Sequence, residues 1–114
     1  MVTRARFQTL ALAFDDASTA PHMDRLAFRT PHRIYATLAA DGASANLKLS
    51  LEQQELLVAA RPEAFAPVPG GWGAQGWTTV TLANVDEGAL KDALEGAHAM
   101  AAVKKPRSPR KRSR

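Results

Sequence analysis

The chain has 114 residues, 46% of them apolar, and its lack of cysteine excludes disulfides, thiolate metal sites and cysteine nucleophiles. That length builds one core and not two. Of fifteen basic residues, seven (Lys104, Lys105, Arg107, Arg110, Lys111, Arg112 and Arg114) crowd the last eleven positions without an acid. Residues 1–103 therefore hold eight bases against eleven acids, a net of −3 under a total of +4. The basic character belongs to the C-terminal segment and does not argue for polyanion binding by the body.

No apolar run approaches the roughly 18 residues of a membrane span. The N-terminus has no continuous apolar stretch leading to a small-residue cleavage site. A cytoplasmic protein with a folded domain over residues 1–103 and a disordered basic tail over 104–114 is expected.

In chain order, Phe7, Leu10, Ala11 and Phe14 fall on one helical stripe, so residues 3–14 read as a helix with Thr3 as N-cap. Asp15 and Asp16 end it as solvated carboxylates, a cation site there being the lesser reading. Between Ala17 and Thr30 the pattern weakens, and only the alternation around Leu26 and Phe28 suggests a strand. Thr30-Pro31-His32-Arg33 reads as a turn.

Residues 33–49 read as a β-hairpin about a two-residue Asp41-Gly42 turn. That register sets Leu38 against Ala45, Ala36 against Leu47 and Ile34 against Leu49 on a core face. The other face takes Thr37 with Asn46, Tyr35 with Lys48 and Arg33 with Ser50. Ser50 and Gln53 form a capping box for the next helix, with Leu56, Leu57 and Ala60 as its buried side. Glu52 and Glu55 there are favourable charges at a helix N-terminus rather than an acid/base pair.

The segment 65–77, FAPVPGGWGAQGW, joins an extended proline-rich half to a tight-turning glycine-rich half. It precedes a strand rather than a helix, which argues against a phosphate loop. Trp72 reads first as a lid over the core edge and second as an exposed stacking platform. Residues 77–82 read as a strand with Thr78, Val80 and Leu82 on one face. Asp86 caps the last helix, whose buried stripe is Leu90, Ala93, Leu94, Ala97, Met100 and Ala101, with His98 pointing outward.

Phe28-Arg29, then Arg33 to Leu38, then Leu47-Lys48-Leu49-Ser50 with Gln53-Gln54, then Phe65 to Gly73, the Gly76 turn and Val80-Thr81-Leu82 together resemble the MmcQ/YjbR family over roughly residues 21–104. The resemblance implies an α+β, CyaY-like fold, an antiparallel sheet with helices packed on one face. It also implies DNA binding through a double-wing arrangement of hairpins. The chain departs from the family pattern with His32-Arg33 for Gly-Lys, Tyr35 for a Phe, and His98-Ala99-Met100 where an aromatic is common.

The leading expectation is a non-enzymatic DNA-binding protein, with RNA as a further target. Arg29, His32, Arg33 and Lys48 contact phosphates, Tyr35 packs beside them, and the tail cations add sequence-independent attraction. The alternative is a small-ligand or protein-interaction module using the sheet face and the Trp72/Trp77 loop. Metal handling through Asp15 and Asp16 ranks below both, since His22, His32 and His98 lack ligand spacing. No cofactor, metal or catalytic residue is expected.

Overall fold

A computed structural model describes residues 1–103. The basic segment 104–114, which the sequence reading leaves disordered, lies outside the described residues, together with its seven cations. Helix α1 (Arg4–Ala11) leads into strands β1 (Ser18–His22), β2 (Arg25–Arg29), β3 (Ile34–Leu38) and β4 (Ser44–Lys48). Helix α2 (Leu51–Ala60), β5 (Phe65–Pro67), the short α3 (Gly71–Ala74), β6 (Trp77–Thr81) and α4 (Glu87–Ala102) follow. The strands form one antiparallel sheet in the order β1-β2-β3-β4-β6-β5. Among the described residues, no helix is long and apolar enough to cross a membrane.

Three helices start where short-range chemistry requires. Thr3 Oγ1 accepts from the Arg6 N–H at 3.1 Å, Ser50 Oγ from Gln53 at 3.0 Å, and Asp86 Oδ1 from Ala89 at 2.7 Å. Each such cap stabilises its helix by about 1 kcal/mol. Val85 and Leu90 are both buried, as a hydrophobic staple requires. Helix α1 is shorter than the expected 3–14: Leu12 is its C-cap, donating its N–H to Gln8. Phe14, beyond the helix, still packs against the core.

Strand β1 is absent from the sequence expectation. It pairs with β2 through a turn at Met23-Asp24 in which Met23 holds φ at 60°, a conformation that methionine rarely supplies. The sheet's two edge strands, β1 and β5, are the two that contain proline, Pro21 and Pro67. Proline cannot donate to a ladder and so belongs at an edge.

The β3–β4 register is the expected one: Ala36 with Leu47, Thr37 with Asn46, Leu38 with Ala45. The turn differs. Gly42 donates its N–H to Ala39 at 2.9 Å and Ala39 donates to Ser44 at 3.0 Å, so the loop is longer than Asp41-Gly42 alone. Only Gly42 in it takes positive φ, whereas a two-residue type I′ turn needs two such residues. Because the loop grows by whole residue pairs, the register survives.

A second difference has larger consequences. Between Phe28 and Arg29 on β2, the partner strand advances from Ala36 to Ile34, two residues against one. Tyr35 is the extra residue of this β-bulge, and it turns to the core with no exposed surface. Ile34 takes the vacated parity opposite Arg29 and is only half buried. The expected places of Ile34 inside and Tyr35 outside are thereby exchanged.

Helices α1, α2 and α4 pack on one face of the sheet. Phe7, Leu10 and Ala11 of α1 and Leu90, Ala93, Leu94, Ala97 and Ala101 of α4 meet Phe28, Leu47, Val80 and Phe65 of the strands. Phe7 meets Phe28 edge-on with ring centroids 5.5 Å apart. Each fully buried Phe or Leu stabilises the fold by about 1.5–3 kcal/mol. Two helix expectations are corrected. On α2, Leu56 is 67% exposed and Ala60 is exposed, while Gln54 is the buried residue. On α4, Met100 is half buried and His98 turns inward.

Candidate functional site

The face of the sheet opposite the helices is open, and strand alternation decides what it carries. Cross-strand pairing sets Ala20, Ala27, Thr37, Asn46, Thr79 and Ala66 in one row across all six strands. The next row on one side contains Arg29, Ile34, Lys48 and Trp77, and on the other side His22 and Arg25. None of the six strands contains Asp or Glu, although residues 1–103 are acidic overall. The acids sit on helices, turns and loops. The strand residues of the open face are therefore of a single sign, with arginine, lysine and tryptophan standing over a floor of small and amide residues.

One groove of about 180 Å³ lies on this face between His22 and Arg25 on one side and Trp72 and Trp77 on the other, with Thr37 and Asn46 as its floor. Arg25 is pre-oriented. Its Nε donates to Thr37 Oγ1 at 2.8 Å and its Nη2 to the Thr37 carbonyl at 3.3 Å. Thr79 Oγ1 donates to Asn46 Oδ1 at 2.8 Å, which leaves the Asn46 amide N–H groups without a partner among the described residues. Trp72, on α3, is 63% exposed and outside the core cluster. It stands exposed and is not the expected lid over the core edge.

A smaller cleft of about 110 Å³ opens on the far side of Trp77, lined by Arg33, Lys48 and the last turns of α4. The β2–β3 turn that carries Arg33 is fastened by Thr30, a fully buried residue. Its hydroxyl donates to the Ala101 carbonyl at 2.7 Å and accepts from the N–H groups of His32 and Arg33. Arg33 thus sits by the helix C-terminus, whose partial negative charge favours a cation. Its Nε is buried with no hydrogen-bond partner, and among the described residues neither Arg33 nor Lys48 forms an ion pair. Trp77 borders both cavities and stands between the cation cleft and the groove.

Of the residues expected to contact nucleic acid, Arg29 and Lys48 share a row of the open face, Arg33 joins them at its end, and His32 is exposed in the adjacent turn. Tyr35 is not with them. The seven tail cations lie outside the described residues. His22, Arg25, Thr37 and Asn46 were absent from the expected site. Asn46 and Thr37 were legible as outward hairpin positions and Arg25 as a cation alternating with Leu26 and Phe28; His22 needed β1 to be recognised.

The YjbR family model matches residues 12–100. The chain belongs to the YjbR family. Its structure is similar to the crystal structure of the Deinococcus radiodurans protein DR2400, of domain family DUF419, with a TM-score of 0.78 and 25% identity over 97% of this chain and 87% of that one. A crystal structure of a protein from Pseudomonas syringae shares the fold at a TM-score of 0.65 and 15% identity, over 89% of this chain and 99% of that one. A comparison with curated proteins found no match.

In this YjbR chain the matched stretch begins just after α1, and α1 is held by the inward cluster around Tyr35. The Tyr35 hydroxyl donates to the Ala11 carbonyl at 2.5 Å. Phe14 meets Tyr35 edge-on and stacks on His98 with centroids 3.9 Å apart and planes 5° from parallel. His98 Nε2 reaches Asp16 Oδ1 at 2.6 Å. Asp16 is thus a tether between the α1–β1 connection and α4. Among the described residues no three His, Asp or Glu side chains converge on a common metal position.

The cluster responds to pH at both ends. The hydrogen bond from His98 and then its charge hold the Asp16 carboxyl below its ordinary value, against some desolvation. A depressed carboxylate contributes stability above its unfolded value, and that contribution is lost as pH falls through the folded value. Burial, and next the charge of Asp16, push the Tyr35 phenol up to about 12. The neutral phenol therefore contributes fully below its ordinary value of 10.0 and loses that contribution as pH rises toward 12. The chain has one tyrosine, so a phenolate absorbance titration reads this group alone. A native midpoint near 12 is expected, falling to about 10 in denaturant. Asp16→Asn should flatten the acid limb of a stability–pH profile and, by removing the charge that adds to burial, bring the Tyr35 midpoint part of the way back toward its ordinary value.

Proposed function

We propose that this YjbR protein is a CyaY-like, non-enzymatic nucleic-acid-binding module of the cytoplasm that meets DNA, or RNA, with its open sheet face. The reading is supported by one observation above the others, the segregation of charge. A net-acidic body presents a strand face without acids, bearing Arg25, Arg29 and Lys48, with Arg33 alongside. Phosphate is the partner that such a face attracts, and arginine can bind it through two parallel N–H donors. The β1–β2 and β3–β4 hairpins are the two wings of this reading.

The sheet and the tail make separable contributions. Each phosphate neutralised releases counterions, giving about 0.9 of slope in log affinity against log salt on duplex DNA, or about 0.7 on a single strand. In the full chain, the double substitution Arg33→Gln with Lys48→Gln is expected to lower the duplex slope by about 1.8. Fluorescence anisotropy across a salt series, repeated on a chain ending at Val103, measures this. An unchanged slope, with all binding lost on truncation, would assign DNA contact to the tail alone.

A small-ligand or protein-interaction module remains the second reading, favoured by the exposed Trp72 beside the groove. Binding of that kind would vary little with salt.

A further inference from the structure

The groove beside Trp72 has a chemistry that phosphate contact does not use. It is bounded by an exposed indole face, a partly buried second indole, a guanidinium fixed by two bonds to Thr37, and an amide with free N–H donors. About 180 Å³ is below the roughly 300–1,000 Å³ of pockets that enclose a drug-sized molecule. It has room for one flat heterocycle. Flat walls, hydrogen-bonding groups at the floor and cations nearby are what a nucleobase with its phosphate requires.

We propose that this groove receives one unpaired base of a single-stranded nucleic acid, stacked on Trp72, with Asn46 and Arg25 against the base edge and Arg33 and Lys48 on neighbouring phosphates. This rests on the nucleic-acid reading above and narrows it from polyanion to single strand. Three features of the fold support the assignment. A base inside a duplex is stacked on both faces and cannot also stack on Trp72, so the groove selects unpaired bases. Trp72 is held in place from below: a Cβ on the next residue, Gly73, would run into the Val68 carbonyl, so α3 is seated directly on the backbone after β5. Trp77 separates groove from cation cleft while bordering both, which lets a base and its flanking phosphate be held on opposite sides of one ring.

The test compares three labelled probes on the full chain by anisotropy: a twelve-nucleotide oligo-dT, an abasic strand with the same number of phosphates, and a twelve-base-pair duplex. Tail cations attract all three through phosphate, whereas the groove distinguishes them. Base–aromatic stacking predicts that oligo-dT binds roughly tenfold or more tighter than the abasic strand. Trp72→Ala should abolish that preference while leaving the salt slope unchanged. Because Trp72 is largely exposed, the variant is expected to melt with the parent, which a thermal scan confirms before binding is read. Equal affinity for abasic and base-bearing strands, or a Trp72→Ala change that weakens duplex binding as much as oligo-dT binding, overturns the base site while salt-dependent binding still stands. If no probe shows salt-dependent binding, the nucleic-acid reading itself falls and the base site falls with it.

Discussion

Gly76→Ala is expected to cost more than about 4 kcal/mol, a large part of the roughly 5–15 kcal/mol that holds a domain of this size together. Two penalties coincide at this position. Gly76 has φ of 107°, outside the range of L side chains, and a Cβ there would lie closer to the Leu49 carbonyl oxygen than the 3.0 Å that real Cβ contacts respect. The neighbour cannot retreat, because Leu49 donates its own N–H to the Gly76 carbonyl at 3.0 Å. Opening the gap would break the connection between the end of β4 and the start of β6, and Lys48 and Trp77 are paired just there. Gly70 separates the two penalties. It also has positive φ, 78°, but nothing lies within 4 Å of its Cβ position, so Gly70→Ala should cost only about 1–3 kcal/mol of backbone strain. Urea unfolding of both variants followed by circular dichroism makes the comparison. Equal midpoints would show that Leu49 moves aside.

Gln54→Leu should lower stability by roughly 2–3 kcal/mol, or roughly 10–20 °C in Tm for a domain of this size. Leucine nearly matches glutamine in volume, so the loss comes from hydrogen bonding. Gln54 is 8% exposed, and the two N–H groups of its amide are shared among three acceptors, the Gly73 carbonyl at 3.0 Å, the Trp77 carbonyl at 3.2 Å and Thr78 Oγ1 at 3.0 Å. These three acceptors belong to α3 and β6, which carry Trp72 and Trp77. The glutamine is thus the pin between α2 and the wall of the groove. Gln54→Glu is the informative companion. It keeps the length of the side chain and removes the donors, so it should be at least as destabilising at neutral pH. A melting temperature within about 3 °C of the parent for the leucine variant would show that the three acceptors are satisfied in another way.

What was legible in advance was local. The caps at Thr3, Ser50 and Asp86, the Val85–Leu90 staple and the β3–β4 register all depend on residues close in sequence or on an alternation that any hairpin must obey. The resemblance to YjbR proteins rested on such stretches, and the family assignment agrees with it. Arg29, Arg33 and Lys48 were legible as site candidates because each is a cation at an outward position of a short strand or turn.

The misplaced residues were those whose orientation is decided by distant partners. Tyr35 has outward parity on its own strand. The bulge against β2 turns it inward, and Ala11, Phe14 and His98, from elements at the two ends of the chain, accept it there. His98 reads as a solvent-facing helix position until Phe14 is seen to stack on it and Asp16 to bind it. Leu56 reads as core because leucine usually is, yet the side of α2 facing the sheet needed a donor for three acceptors, and Gln54 supplies it. Strand β1 went unseen because the positive φ of its turn falls on Met23, where no glycine or asparagine signals it, and with it went His22 as part of one wall of the groove.

By itself, then, the sequence determined the helix starts, the hairpin pairing and the family, since these follow from hydrogen bonds and periodicities within a few residues. Only the tertiary structure decided which cations share a face, that no acid stands on its strands with them, and that Trp72 stands exposed at its edge. Those are properties of six strands brought together from across the chain, and electrostatic potential and groove shape are sums over neighbours in space.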